Sequence, residues 1–378
     1  MDLMTKYPAV TDLQKRARAR IPHFAYEYLV SGTGAEATTR RNRTALDQVQ
    51  FMPAILRGPQ TPDLSVQLFG ETLPLPFGIA PVGLSGIMWP DAEYILAQAA
   101  AREGIPYSLS TVAAQTPEHV APVLGKHSWF QLYPPKSPEI RRDMLKRARD
   151  AGFTGVAITV DVPVASRRER QTRSGLTHPP RMTPRILWQI ARRPAWALAT
   201  AKTGAPRMRT LDKYVTDQPN LPPTEHIGYL LRTSPDMDYI RAIRADWDGH
   251  LMIKGVMDPE DAKSLENEGV DAIWLSNHAG RQFDASPATI EVLPEMRRAT
   301  SLPIIFDSGV EGGLDILRAL ALGADFVMLG RAWQYAVGAL GPDGPAHLAA
   351  ILRNDLISNM GQLGVEKFAD LQSRLRIS

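Results

Sequence analysis

Hydrophobic and polar positions along this chain repeat in one order: a short apolar run, then a longer stretch in which apolar residues recur at helical spacing. Eight apolar runs have the length and bounding residues of buried strands, at 77–81, 106–110, 128–133, 155–161, 251–255, 270–275, 303–307 and 325–330. Helical stretches follow them at 91–103, 117–124, 138–151, 236–246, 259–268, 287–300, 312–322 and after Arg331. Eight strands that are each connected by helix predict an α/β fold, a (β/α)8 barrel.

Two stretches fall outside the repeat. The first is an N-terminal extension over 1–75, with a helical segment at 5–30 that Ser31-Gly32-Thr33-Gly34 ends and an irregular, proline-rich part at 40–75. The second is a long insertion after the fourth strand, at 162–235. We expect residues 1–378 to form a single domain.

Polar residues end nearly every predicted strand. They are Ser110, Gln131, Tyr133, Thr159, Asp161, Lys254, Ser276, His278, Asp307, Gly330 and Arg331, with Gly330 included for its place in the loop. In a (β/α)8 barrel the active site is built from the carboxyl ends of the strands. Packing does not require polar residues there, so the pattern predicts an active site at this face.

Composition excludes several classes of function. The chain has 378 residues, no cysteine and a net charge of +3, which excludes disulfides and cysteine nucleophiles and is too weak a charge to indicate nucleic acid. We expect no metal site. The N-terminus lacks a basic region followed by an apolar one, and no apolar run approaches the roughly 20 residues of a membrane span. A cytoplasmic location is therefore the expectation.

The stretch after the sixth strand carries the strongest chemistry. His278 can take a proton near neutral pH, and Arg281 can hold a carboxylate through two parallel hydrogen bonds. Together they indicate chemistry at the carbon next to a carboxylate, the alternative being a loop histidine and a solvated arginine. Asp161 is the candidate to orient His278. Arg168 beside Arg167 offers a second clamp, or belongs to a solvated charge run.

Lys254 and the last two loops remain open to alternatives. Lys254 could form a Schiff base, as in an aldolase, or stabilise negative charge on a bound cofactor. The glycine-containing loops around Gly309 and Gly330, with Arg331, predict phosphate binding at helix amino ends. The alternative for these loops is a pair of tight turns that need glycine.

Five motifs in order resemble the FMN-dependent L-2-hydroxy-acid dehydrogenase/oxidase family, which includes membrane L-lactate dehydrogenase, mandelate dehydrogenase and glycolate oxidase. The resemblance extends from about residue 5 to about residue 375. The motifs are Ser276-Asn277-His278-Ala279-Gly280-Arg281-Gln282, Lys254-Gly255, Gln131-Leu132-Tyr133, Thr159-Val160-Asp161 and Gly330-Arg331.

The resemblance implies a role for each candidate residue. His278 would take a proton from the substrate with Asp161 paired to it, Arg281, Arg168 and Tyr28 would bind the carboxylate, and Tyr133 would contact the hydroxyl. Lys254 would stabilise negative charge on the flavin. The flavin ring would be lined by Pro81, Val82, Gly83, Ser110, Gln131, Thr159 and Ser276, and the ribityl phosphate held by Asp307, Gly309, Gly330 and Arg331.

Three positions distinguish this chain within the resemblance. Glu311 stands where the family often has arginine, and we expect it to point outward, with FMN bound more weakly. Val112 stands where glycolate oxidases have tryptophan, which leaves the pocket open to another substrate shape. Pro81-Val82-Gly83 is similar to the quinone-linked dehydrogenases rather than the oxidases.

The implied function is oxidation of an L-2-hydroxy acid to the 2-oxo acid, with L-lactate as the first substrate and electrons passed to quinone or another acceptor. The alternatives are an H2O2-producing oxidase of a larger acid such as mandelate, a Schiff-base lyase using Lys254, and a ligand-binding barrel that has lost turnover through Glu311. A homo-oligomer is expected from the family.

Residues 181–206 combine basic residues with apolar ones and two tryptophans, which predicts contact with the inner face of the cell membrane. The apolar members are Ile186, Leu187, Trp188, Ile190, Trp196 and Leu198. The alternative is a lid over the active site.

Overall fold

The computed structural model describes residues 2–176, 181–215 and 233–376. Its N-terminal part contains four helices: α1 Leu3–Lys6, α2 Val10–Arg20, α3 His23–Val30 and α4 Ala37–Gln48. The single helical segment predicted over 5–30 is wrong in its continuity. Ile21, which precedes Pro22, is extended, because a proline ring disfavours helical backbone in the residue before it.

The prediction of irregular structure over 40–75 is also wrong in two places. Helix α4 covers its beginning, and an antiparallel hairpin, β1 Val66–Leu68 and β2 Glu71–Leu73, covers its end. Phe69 and Gly70 both have positive φ, as a two-residue hairpin turn of type I′ requires. Leu68 and Leu73 are buried against Trp129 and other side chains inside the barrel, so the hairpin closes the barrel's amino end.

Eight parallel strands form a closed barrel in which the last strand pairs with the first. They are β3 Phe77–Ile79, β4 Tyr107–Ser110, β5 Ser128–Leu132, β6 Gly155–Thr159, β7 His250–Val256, β8 Ala272–Leu275, β9 Ile304–Phe306 and β10 Phe326–Leu329. All eight predicted strands are confirmed, and with them the (β/α)8 fold. Large side chains fill the interior, with the rings of Trp129 and Trp274 6.1 Å apart.

Helices connect the strands and cover the outside of the barrel. In chain order they are α5 Ala92–Glu103, α6 Pro117–Val120, α7 Pro138–Asp150, α8 Glu169–Ser174, α9 Pro184–Ala191, α10 Pro194–Thr203, α11 Asp212–Val215, α12 Met237–Asp246, α13 Pro259–Leu265, α14 Thr289–Ala299, α15 Gly313–Ala321, α16 Arg331–Leu340 and α17 Gly344–Leu363. Helix α2 packs on α16, and α17 packs on α15 and α16. The N-terminal extension therefore packs on the last part of the barrel.

The insertion between β6 and β7 carries α8 to α11, while its parts 177–180 and 216–232 lie outside the described residues. Its apolar residues do not share one surface. Ile186 and Trp196 are buried, and the Trp196 indole donates to the Ile87 carbonyl at 2.9 Å. Leu187, Trp188 and Leu198 are exposed. Across the described ranges, no helix is long and apolar enough to cross a membrane.

Candidate active site

A cavity of about 450 Å³ opens at the carboxyl end of the barrel. Helix α3 contributes Tyr28 to it, and the insertion contributes Arg168 and Met208. The site residues predicted from sequence that line it are Tyr28, Pro81, Val82, Gly83, Gln131, Tyr133, Thr159, Arg168, Lys254, His278, Arg281, Asp307, Gly309, Gly330 and Arg331. Ser110 and Ser276 are buried and are not among the lining residues, and Asp161 lies against His278.

His278 and Asp161 form a paired base. The His278 Nδ1 atom lies 3.0 and 3.1 Å from the two carboxylate oxygens of Asp161. His278 and Ala279 both have φ of 54°, a left-handed turn that directs the ring back over the barrel mouth. Burial lowers the pKa of His278 below its ordinary value, although Asp161 acts in the opposite direction. With Nδ1 held by Asp161, a neutral ring presents Nε2 as the proton acceptor.

Lys254 is held in place by buried polar groups. Its ammonium donates to Ser276 Oγ at 2.9 Å and lies 3.0 Å from Asp307 Oδ2. Asp307 also accepts from Trp274 Nε1 at 2.8 Å and from Ser308 Oγ at 2.7 Å. Burial alone would raise the pKa of Asp307, but the charge of Lys254 and hydrogen bonds from Ser276, Ser308 and Lys254 lower it. A lysine paired with a buried carboxylate is suited to stabilising negative charge and poorly suited to attacking a carbonyl.

Three polar side chains form a row across the ends of neighbouring strands. Ser110 donates to Gln131 Oε1 at 2.8 Å, and Gln131 Nε2 donates to Thr159 Oγ1 at 2.9 Å. These bonds fix the orientation of the Gln131 amide. The row gives the cavity floor fixed donors and acceptors that can hold the polar edge of a planar ring.

Arg281 combines a structural role with a binding role. It donates to the backbone carbonyls of Leu29, Ser31 and Tyr28 at 2.8, 3.1 and 2.8 Å. A guanidinium has five N–H donors, so two remain for a ligand. Burial, and then the nearby charge of Arg168, lowers the pKa of Arg281 well below its ordinary value. Two guanidiniums this close are best accommodated when a bound anion lies between them.

Two tyrosines border the same end of the cavity. Tyr28 Oη donates to the Gly83 carbonyl at 2.9 Å. Burial raises the pKa of both Tyr28 and Tyr133. Both phenols are therefore protonated at neutral pH. Tyr133 can donate a hydrogen bond to a substrate oxygen, while Tyr28, whose O–H is bonded to Gly83, can accept one from a substrate hydroxyl.

The opposite end of the cavity is formed by the loops after β9 and β10. Gly309 has φ of 91°, and Gly330 precedes the first residue of α16. Arg331 donates to the Ala279 carbonyl at 2.9 Å, and its buried Nε has no hydrogen-bond partner in the described part of the chain. A helix amino end with an unpartnered guanidinium donor is suited to an anion such as phosphate.

The expectation that Glu311 points outward is wrong. Glu311 lines the cavity beside Gly309 and Arg331. Its backbone is anchored just before α15, since the Glu311 N–H donates to Asp315 Oδ2 at 3.0 Å. Burial raises the pKa of Glu311, with Arg43 and Arg331 acting in the opposite direction.

Sequence reasoning missed several lining residues. Val162, Ala165, Ser166 and Met208 come from the insertion, and Ser308 follows β9. The insertion shows no periodic pattern that would place these residues over the barrel mouth. A signal for Ser308 was present, because it directly follows the strand-end Asp307.

These residues fit FMN. The Ser110, Gln131 and Thr159 row suits the edge of a flavin ring, Lys254 supplies a fixed positive charge, and the unpartnered Arg331 Nε suits a phosphate. Within the described ranges, no cluster of histidine and carboxylate side chains could hold a metal ion.

Comparison with known proteins agrees with this reading of the cavity. The sequence model of a family described as FMN-dependent dehydrogenase matches residues 17–377. The L-lactate dehydrogenase of Ectopseudomonas mendocina (strain ymp) is 37% identical over 375 residues, which is 98% of each chain. The L-lactate dehydrogenase of Xanthomonas axonopodis pv. citri (strain 306) is 38% identical over 371 residues, 97% of this chain and 95% of the relative.

Solved structures give the same picture. The crystal structure of the monotopic membrane protein (S)-mandelate dehydrogenase has a TM-score of 0.91 at 31% identity, covering 98% of this chain and 99% of that one. A crystal structure of mandelate oxidase has a TM-score of 0.81 at 31% identity, covering 98% of both chains.

Proposed function

This chain belongs to the family of FMN-dependent dehydrogenases, and on that premise we propose that its substrate is L-lactate, oxidised at C2 to the 2-oxo acid. The family establishes the reaction class, oxidation of a 2-hydroxy acid with FMN as cofactor. L-lactate is supported by the relatives named for that activity, which match nearly the whole chain. The observation that carries the proposal is the His278–Asp161 pair facing the same cavity as Arg281 and Arg168.

The substrate's carboxylate binds first in this proposal. The two free donors of Arg281 and the guanidinium of Arg168 line one cavity and together attract a single anion. Binding there places one negative charge beside two neighbouring positive charges, which reduces their repulsion. It also fixes the acid end of the substrate, so that C2 and its hydroxyl lie toward His278 and the tyrosines.

The proton is then removed by His278. Its Nε2 accepts the proton while Asp161, bonded to Nδ1, stabilises the resulting imidazolium. The protonated phenol of Tyr133 donates to the substrate oxygen, and Tyr28 Oη, which donates to Gly83, borders the same end of the site. Bound FMN supplies the acceptor for the two electrons. The ammonium of Lys254, fixed by Asp307 and Ser276, provides positive charge at the cofactor end of the site.

A larger 2-hydroxy acid such as mandelate is the second candidate. The cavity wall on the substrate side is apolar, with Val112, Val162 and Met208, and such a wall accepts a larger apolar group. The chains of known fold with TM-scores of 0.91 and 0.81 are mandelate enzymes. An H2O2-producing oxidase is the corresponding alternative for the acceptor, and Gly83 in Pro81-Val82-Gly83 supports a dehydrogenase instead.

The decisive test is the visible absorption of the purified protein, recorded without oxygen before and after addition of L-lactate. A flavin spectrum bleached by L-lactate, and not by D-lactate, is expected. A spectrum bleached by L-mandelate alone would replace L-lactate with the larger acid. A flavin spectrum that neither acid changes would contradict the proposed substrates. Borohydride added with substrate should leave Lys254 unmodified, since the lyase alternative requires a trapped Schiff base.

We further propose that the electron acceptor is a quinone reached at a membrane surface. Helices α9 and α10 expose Leu187, Trp188 and Leu198 beside Arg185 and Arg192. Exposed apolar groups among basic ones suit an anionic lipid surface. A relative of known structure is itself described as a monotopic membrane protein. A homo-oligomer stays a prediction.

The membrane proposal is tested by sedimentation with anionic lipid vesicles. Trp188→Asp combined with Leu198→Asp should release most of the protein from the vesicles while leaving flavin bleaching by substrate unchanged. Ile357→Asp on α17 is the matched control, because Ile357 is also an exposed apolar residue. Equal vesicle binding by wild type and the double variant would refute the contact.

A further inference from the structure

The end of the cavity suited to phosphate carries an acidic side chain, Glu311, that has no hydrogen-bond or ion-pair partner in the described part of the chain. Glu311 lines the cavity next to Gly309 and Arg331. Within the described part of the chain, no hydrogen bond or ion pair engages its carboxyl group. A carboxyl group directed into a ligand cavity without a partner is available to a ligand.

Arg43 on α4 acts on Glu311 only through its charge, because all of its hydrogen-bond donors are already used. Arg43 donates from Nη1 to Asp315 and to the Gly309 carbonyl, and from Nη2 to Asp315 and Asp47. Its Nε donates to Asp47 at 3.2 Å. All five donors of Arg43 are therefore engaged. Arg331, with its unpartnered Nε, is left to face both Glu311 and an incoming phosphate.

The backbone amides at the start of α15 are also occupied. The Glu311 N–H donates to Asp315 Oδ2 at 3.0 Å, and the Gly313 N–H donates to Asp355 Oδ2 at 2.8 Å. Two amides near this helix end are therefore bonded to carboxylates of the chain itself. The amino end of α16 with Arg331 remains for the phosphate, and it must serve two anions if Glu311 is charged.

Charged and titratable groups surround Glu311 on every side. They are Arg43 and Asp47 on α4, Asp315 and Arg318 on α15, Arg331 and Tyr335 on α16, and Asp355 on α17. Three of these groups are carboxylates, and two of the arginines pair with them. A phosphate and an ionised Glu311 would repel each other in this enclosed space, which favours the neutral carboxyl group.

We propose that Glu311 is protonated when FMN is bound and donates a hydrogen bond from its carboxyl group to a phosphate oxygen. The proton comes from solvent, so that binding one FMN takes up a proton and changes no other bond. This inference rests on FMN as the cofactor. It makes cofactor capture sensitive to pH through a residue that takes no part in substrate oxidation.

This linkage between proton binding and FMN binding fixes the direction in which FMN affinity changes with pH. Because the bound state holds the proton more tightly than the free state, FMN affinity is highest at low pH. It falls as pH rises through the pKa of Glu311 in the free protein, by up to about tenfold per pH unit until the pKa in the complex is reached. Riboflavin, which shares the ring and ribityl chain but lacks the phosphate, should show no such dependence.

The experiment compares FMN and riboflavin binding to the flavin-free full chain by quenching of flavin fluorescence. Three proteins are titrated at about pH 6 and about pH 8.5: wild type, Glu311→Gln, and Glu295→Gln as a control that removes one exposed carboxylate from α14. Glu311→Gln should bind FMN at least about tenfold more tightly than wild type at the higher pH, with the difference narrowing at the lower pH. Its riboflavin affinity should match wild type, and Glu295→Gln should behave as wild type with both flavins.

Each other outcome has a definite meaning. Equal FMN affinity of wild type and Glu311→Gln at both pH values would overturn the inference and leave the proposed function standing. An equal change in riboflavin affinity would also overturn it, since the substitution would then act through packing. Failure of the wild-type protein to bind either flavin would instead contradict the assignment of FMN as cofactor, and with it the proposed function. Calorimetry of FMN binding in two buffers with different ionisation enthalpies should show uptake of up to about one proton by wild type beyond that of Glu311→Gln.

Discussion

Gly255 lies so close to Asp161 that a β-carbon placed on Gly255 would be 2.5 Å from Asp161 Cγ. Gly255 has φ of 102°, and the pairing of β7 with β8 shifts register at this position. A bulge in one strand therefore makes the room in which the partner of His278 stands. The positions of Lys254, which precedes Gly255, and of the His278–Asp161 pair therefore depend on the same irregular backbone.

Gly255→Ala should displace Asp161 and weaken its bond to His278. We expect kcat/KM for the hydroxy acid to fall by about 100-fold, comparable to loss of a general base's orientation. Gly361→Ala in α17 is the matched control, because a β-carbon there meets no atom within 4 Å. Unchanged kcat/KM in Gly255→Ala would show that Asp161 does not need this space.

The pH dependence of kcat/KM should report His278. The base must be neutral to accept a proton, so kcat/KM falls on the acid side, and burial places this limb below the ordinary imidazole value of about 6.5. Asp161→Asn removes the group that raises the pKa of His278. The limb should therefore move to still lower pH, with kcat/KM at neutral pH reduced at least about 100-fold. A limb that moves to higher pH would contradict the pairing.

Substitutions at Arg281 and Arg168 should affect thermal stability and substrate binding differently. Arg281→Lys loses the fork that bonds Tyr28, Leu29 and Ser31, so both KM should rise and Tm should fall. The Arg168 guanidinium donates from Nε to the neighbouring Ser166 Oγ at 3.0 Å. Arg168→Lys should raise KM about tenfold with Tm unchanged. Thermal unfolding and steady-state kinetics on both variants check this, and a Tm loss in Arg168→Lys alone would reverse the assignment.

Lys254 and Asp307 should prove energetically coupled. Lys254→Met leaves Asp307 buried without its cation, which should cost about 3 kcal/mol of the free energy of unfolding. Adding Asp307→Asn should restore much of that loss, while flavin bleaching by substrate stays slow because the fixed positive charge is gone. Denaturant unfolding of the two single variants and the double variant measures the coupling. Additive losses would show that the two side chains act independently.

The sequence predicted the barrel because each strand is a short apolar run, and it predicted most of the site because barrel closure brings strand ends together. The pairing of His278 with Asp161 is an example, since the two residues are distant in sequence but follow β8 and β6. Side-chain direction in loops was less accessible. Glu311 lines the cavity on a loop whose backbone is bonded to Asp315, a contact that no spacing rule contains.

The insertion shows the same limit. Trp188 and Trp196 looked equivalent in sequence, yet one is exposed and the other lies against Phe24 with its indole bonded to a backbone carbonyl. Which tryptophan is buried depends on how α10 packs against α3 and the loop after β3. The N-terminal extension also lacks the alternation that marks the barrel, so the hairpin β1–β2 was missed.

That hairpin has a kinetic consequence. Leu68 and Leu73 fill the amino end of the barrel, and Phe69 stacks on His250 at the start of β7 with 4.2 Å between the rings. The hairpin and the packed side chains of the barrel interior together close that end, so the hydroxy acid, the 2-oxo acid and the electron acceptor share the opening at the other end. An electron acceptor that enters through the same opening can bind only after the 2-oxo acid has dissociated. Steady-state kinetics should therefore follow a ping-pong mechanism, with parallel lines in double-reciprocal plots. The hydroxy acid and the electron acceptor should compete for the same opening.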